Sequence, residues 1–208
     1  MQQQILTMLN MQDAMNTRVN EQWREKNFEW YRAIWVETAE LMDHYGWKWW
    51  KKQTPDVEQV HLELVDIWHF GLSILLQQSN DLPSIAQTIE QSFKPSSDLP
   101  DFKILLEQFV ASTLSSKSFD VAGFQRLMHS SQLSFDMLYT KYIGKNVLNF
   151  FRQDNGYKTG EYIKIWADGK EDNEHLAELA MSLDPTCHDY KDRLYQGLEA
   201  RYPKGHFG

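Results

Sequence analysis

Apolar residues recur every three to four positions over long stretches of this chain, and no stretch alternates strictly enough to predict a strand. Ile5, Met8, Leu9, Met15 and Val19 form one stripe, which predicts a helix over 2–20. Gln12 and Asn16 stand four apart beside that stripe. Ile34, Leu41, Met42 and Tyr45 predict a second helix over about 27–45, with Gly46 as its stop. Residues 46–55, GWKWWKKQTP, break the period, and Val60, Leu64, Ile67 and Ile74 then predict a third helix over about 56–78.

The middle, 79–118, is richer in Ser, Pro and Asp, with breaks at 80–83 and 94–100 around weaker helical patterns, so it reads as an inserted helical subregion. Further helices are predicted over about 120–131 and 134–152, the latter ending near the turn pair Asn155-Gly156. A polar loop containing Gly160 and Gly169 follows. Asp172 or Asn173 is placed to cap a short helix over 174–183, Pro185 interrupts, and a last helix is predicted over about 188–202. The expectation is an all-α helical bundle forming one domain over 1–208, with the insertion at about 79–118.

Charge and composition narrow the function. A net charge of −8 argues against polymeric nucleic acid as partner, because such binding relies on Lys and Arg neutralising phosphates. A small anionic ligand stays open if cations bridge it. The single cysteine, Cys187, excludes a disulfide framework or a Cys-based zinc site and fits a reducing compartment. No run approaches ~18 consecutive apolar residues, and Met1 leads into a polar amphipathic stretch, so a soluble cytoplasmic protein with no membrane association is expected.

Two short motifs carry the candidate chemistry: Glu37-Thr-Ala-Glu40 on the second helix and Glu63-Leu-Val-Asp66 on the third. Acids three apart share a helix face, and antiparallel packing of the two helices would bring both pairs to one place. Two like charges ~4 Å apart repel by about 4 kcal/mol at an effective dielectric near 20, so cations must offset the cluster. All-oxygen ligation suits magnesium or manganese. Either pair alone would ordinarily be a solvated face, but both lie among apolar and aromatic neighbours, IWVETAEL and HLELVDIWHF. A di-iron carboxylate bundle would need Glu-x-x-His twice; Asp66-x-x-His69 supplies one imperfect half, and His69 reads as a core histidine.

On the helix at 134–152, Lys145, Asn149 and Arg152 are spaced to put two cations and an amide on one face. Arg forks onto phosphate oxygens and Lys supplies a point charge, so with the acid cluster this face reads as a phosphate rake rather than a solvated basic surface.

E-x-x-E, a spacer of 22 residues, then E-x-x-D resembles the MazG-type all-α nucleoside triphosphate pyrophosphohydrolases. Gln12 to Asn16, the Trp-rich GWKWWK, and the run KNVLNFFRQDNGYKTGEYIKIWADGKEDN over 145–173 narrow the resemblance to the dimeric dUTPases. That resemblance implies an all-helical homodimer in which Glu37, Glu40, Glu63 and Asp66 hold magnesium ions that bind the triphosphate of dUTP, or the diphosphate of dUDP. It implies a metal-bound water attacking the β-phosphorus, with Glu37 or Glu40 as general base, to give dUMP and pyrophosphate from dUTP. Lys145, Arg152 and Lys158 would hold phosphates, with Lys164 a weaker candidate, and Asn149 and Tyr157 would meet the sugar. Trp47 and Trp50 offer stacking faces for the base, worth roughly 1 to 3 kcal/mol, while Trp49 is expected to be structural. Choosing uracil needs amides such as Gln12 and Asn16 at the base edge and a wall, Phe70 or His69, that excludes thymine's methyl. Two other readings are a MazG-like pyrophosphatase of different or broader nucleotide preference and a non-catalytic nucleotide-binding helical module.

Overall fold

The computed structural model of the chain describes residues 1–93, 99–185, 187 and 189–203. Its helices are α1 (Gln2–Val19), α2 (Trp30–Tyr45), α3 (Val57–Gln78), α4 (Leu82–Ser92), α5 (Phe102–Ser116), α6 (Val121–Ser130), α7 (Phe135–Asp154), α8 (Asp172–Ser182) and α9 (Tyr190–Arg201). A short 3-10 turn spans Tyr157–Thr159, and the described residues contain no strand beyond an isolated bridge between Ile165 and Glu171. The all-α expectation holds. The expected last-helix start at His188, and most of the break at 94–100, lie outside the described residues.

Local sequence explains where the helices begin. Asp56, Asp81, Asp101, Asp120 and Ser134 each accept a backbone N–H from the first turn of α3, α4, α5, α6 and α7. Each such cap satisfies a donor that would otherwise lack a partner and contributes about 1 kcal/mol. α2 starts three residues later than its apolar pattern suggested, because Asn27 adopts a left-handed conformation (φ 49°) and residues 21–27 form turns. α8 begins at Asp172 and is capped from Glu171, whose N–H bonds the Glu174 side chain at 2.8 Å; the expected caps Asp172 and Asn173 lie inside the helix.

α2 and α3 form an antiparallel hairpin. Trp30 stacks on Phe70, Glu37 meets Glu63, and the His44 carbonyl accepts from the Asp56 N–H, so contacts advance along α2 as they retreat along α3. α1 packs against α3, α4 and α7, while α8 and α9 close over α7. Ile85, Ile89, Phe102, Leu105 and Phe109, from the region read as an insertion, belong to the same buried cluster as Trp68 and Leu64 of α3. Fully buried Trp68 stacks on Phe124 at 5.1 Å and meets Phe119 edge-on at 5.8 Å. Gly71, one turn from Trp68 on α3, makes room for Phe119: a Cβ there would lie 2.6 Å from the ring.

Gly71→Ala should therefore destabilise the protein by about 1–3 kcal/mol through overpacking. Urea unfolding checks this. The midpoint should fall at unchanged slope, and an unaltered midpoint would show that Phe119 moves aside freely.

Candidate active site

One carboxylate oxygen from each of Glu37, Glu63 and Asp66 lies within 4.8 Å of the other two. Glu63 is buried, Glu37 and Asp66 are half-buried, and Glu40 is exposed and stands outside this group. The expected four-way convergence is thus a group of three with one carboxylate beside it. The reason is helical geometry: a three-residue step falls about 60° short of a full turn, so with Glu37 on the seam Glu40 swings toward solvent. Glu40 remains close enough for its charge to help raise both Glu37 and Glu63.

Burial, then the charge of Asp66 and a hydrogen bond with Glu63, push the Glu37 carboxyl up to about 8. Burial also raises Glu63, partly offset by its hydrogen bond to Glu37. His44 Nε2 stands 3.5 Å from Glu63, and Lys145 Nζ from α7 donates to Asp66 at 2.9 Å. The donor set is all oxygen, and the two coupled glutamates resist ionising together without added positive charge. Both properties fit a hard divalent cation.

The cations expected on α7 do share one face, seven residues apart. Arg152 donates through Nε and Nη2 to the two oxygens of Asp172, at 2.7 and 2.9 Å, and its Nη1 reaches Asn149 at 3.5 Å. The Tyr157 ring lies against the guanidinium, 5.8 Å from centroid to Cζ. Lys158 is elsewhere: its Nζ donates to the Val19 carbonyl at the end of α1, at 3.1 Å, and Lys164 pairs with Glu171 at 3.0 Å.

Gln12 and Asn16 are buried in a polar network between α1, α3 and α7. Gln12 Nε2 donates to Asn16 Oδ1 (2.9 Å) and Ser73 Oγ (3.1 Å), and Asn16 Nδ2 donates to Ser73 Oγ (3.0 Å). Gln12 Oε1 lies 2.7 Å from His69 Nδ1; an amide oxygen only accepts, so that nitrogen carries the proton. Burial, with the nearby charge of Lys145, pushes the His69 imidazole down to about 3, so the ring is neutral. It stacks on Tyr142, whose hydroxyl donates to the Met8 carbonyl at 2.9 Å. Within the described residues, His69 Nε2 and Asn146 Oδ1 are buried acceptors without partners. Phe70 is half-buried against Trp30.

Trp47 and Trp50 meet edge-to-face at 5.2 Å, both largely exposed. Trp49, expected to be structural, is 89% exposed; the loop projects it outward, and among the described residues its aromatic neighbour is Trp50. Sequence spacing did not expose His44, Ser73, Tyr142 or Asp172 as site residues. Ser73 carried the faint signal of a polar residue in an apolar stripe seven positions beyond Asp66.

An all-helical fold that sets a carboxylate cluster beside cations from a third helix is that of the all-α nucleoside triphosphate pyrophosphohydrolases. Residues 4–157 match the family model described as dUTPase, and the chain belongs to that family, the dimeric dUTPases. No curated protein matches the chain. The chain is accordingly a hydrolase acting on the pyrophosphate bond of dUTP, and its substrate is a small-molecule nucleotide. Among the described residues no helix is long and apolar enough to cross a membrane.

The raised Glu37 carboxyl gives a pH signature. Folding takes up a proton between the ordinary value near 4.5 and about 8, so this contribution is full below pH 4.5 and lost as pH rises through 8. The melting temperature of the metal-free protein should fall between pH 5 and pH 8.5, and Glu37→Gln should flatten the fall. Identical profiles for the two proteins would contradict the coupling.

Proposed function

We propose that this dUTPase hydrolyses dUTP, and also dUDP, to dUMP in a reaction that requires a divalent cation held by Glu37, Glu63 and Asp66. The observation that carries this reading is the approach of those three carboxylates to within 4.8 Å beside the Lys145 ammonium. Magnesium is the ion expected, with manganese able to replace it; bound there it would neutralise the acids and polarise a phosphoryl group.

Glu40, free of the group of three, is the carboxylate left to accept the proton of the attacking water. Lys145 and Arg152 hold the phosphates, and Lys145 exchanges Asp66 for a phosphate oxygen once the acids are neutralised. Lys158 would join them only by leaving the Val19 carbonyl. Asp66 and Ser73 are seven residues apart on α3, roughly 10 Å along the axis, which leaves room for a deoxyribose between phosphates and base. Asn149 and Tyr157 flank that sugar. Gln12 and Asn16 read the uracil edge from the network behind it, and Phe70 and His69 wall off a methyl group. Trp47 and Trp50 follow the end of α2 beside the start of α3, roughly 24 Å along that helix from Ser73, so within one chain they do not supply the stacking faces expected of them for this base.

The homodimer belongs to the same proposal. α2 and α5 expose Trp35, Val36 and Ile104 near a cavity of about 350 Å³ lined by Ala39, Met42, Leu106 and Val110, an apolar surface that a second copy would cover.

Turnover of dUTP, dTTP, dCTP and UTP, with magnesium and then with excess chelator, tests the reading. We expect dUTP to be strongly preferred, chelation to abolish turnover, and Asp66→Asn to lower kcat by about 100-fold or more. Equal rates on dTTP would remove the uracil assignment, and full activity in chelator would remove the metal site.

A further inference from the structure

Asp172 lies beyond residues 4–157 and has no role in the reading above. It is fully buried. Burial alone would raise its carboxyl, but the hydrogen bonds and charge of Arg152 outweigh this and leave it below its ordinary value, hence ionised. A buried ion pair is a poor device for stability, because desolvating both charges offsets most of their attraction. Its geometry suits a different task.

Asp172 engages two of the three nitrogens of Arg152, Nε at 2.7 Å and Nη2 at 2.9 Å. Nη1 keeps only the 3.5 Å contact to Asn149 Oδ1 among the described residues. The fork is thus committed on one edge, while the other keeps one long contact. The carboxylate is itself fixed: the Tyr162 hydroxyl donates to Oδ2 at 2.8 Å, and the Asp172 N–H donates to the Lys164 carbonyl at 3.0 Å. The next residue, Asn173, places Oδ1 3.5 Å from Lys145 Nζ, so the first turn of α8 reaches Lys145 as well as Arg152.

We propose that Asp172, steadied by Tyr162, is a positioning residue that fixes the Arg152 guanidinium so that its Nη1 edge meets the polyphosphate of the nucleotide. The inference rests on the reading of Arg152 as a phosphate ligand. An arginine held in place before binding loses less freedom on binding, and a second layer of contacts is what keeps such a group in register. Part of the site is therefore built by the segment that follows the matched residues.

The test compares Arg152→Ala, Asp172→Asn and the double variant, by titration with a non-hydrolysable imido analogue of dUTP and with deoxyuridine, which carries no phosphate. Asp172→Asn should weaken the analogue by about tenfold. Deoxyuridine binding should be unchanged, and adding Asp172→Asn to Arg152→Ala should cost nothing further. Tyr162→Phe, which keeps the ring and removes one donor, should show the same pattern at about threefold and covers the case in which Asp172→Asn folds poorly. Loss of the analogue with Arg152→Ala but with neither Asp172→Asn nor Tyr162→Phe would overturn the positioning role and leave the phosphate reading standing. Equal weakening of both ligands would make Asp172 merely structural and overturn it too. An Arg152→Ala variant that binds the analogue normally would bring down the phosphate reading, and this inference with it.

Discussion

Repulsion among Glu37, Glu63 and Asp66 sets the terms on which the α2–α3 hairpin can exist. At ~4 Å two carboxylates repel by about 4 kcal/mol at an effective dielectric near 20, a large fraction of a domain's stability. The fold answers in three ways. Glu37 holds its proton toward pH 8, Lys145 donates to Asp66, and His44 stands near Glu63. None of these would suffice on a loop. The hairpin keeps the acids together because it is fastened at both ends, by Trp30 on Phe70 and by the His44 and Asp56 backbone, over a core in which Leu64, Ile67 and Trp68 are fully buried. An arrangement strained without positive charge is the one that rewards a cation most.

Polarity is divided along α3 and α7. Near Asp66 and Lys145 the groups are ionisable, and one turn further the network of Gln12, Asn16, His69, Ser73 and Tyr142 is neutral. The division suits a ligand with one anionic end and one amide-like end. His69 illustrates how closely the zones are coupled, since the Lys145 charge helps keep its imidazole neutral beside the amides. A protonated ring would place a charge among these neutral hydrogen-bonding groups.

Much of this was legible in the sequence because apolar stripes report helices directly. α1, α3 and α7 matched their patterns closely, and the caps at Asp56 and Ser134 stood where chain chemistry would put them. α2 was read three residues early because no Gly or Pro marked the turns over 21–27. The stretch around α4 and α5 reads as an insertion because it is richer in Ser, Pro and Asp, yet Ile85, Ile89 and Phe109 lie in the common core. For the site, i, i+3 spacing showed that Glu37 and Glu40 share a face but not which of them the seam would take. Gln12 and Asn16 were visible as a pair, whereas their partners Ser73 and His69 are distant in the chain. Asp172 was read as a cap for the same reason: nothing local reveals that its carboxylate meets an arginine twenty residues earlier.

The proposed reaction depends on the three carboxylates forming one ion-binding point. Diffraction from crystals soaked in manganese, with anomalous data collected near the manganese edge, would test that most directly. An anomalous peak bounded by Glu37, Glu63 and Asp66 is expected. Fully occupied manganese elsewhere, with none among those side chains, would contradict the proposed ion site.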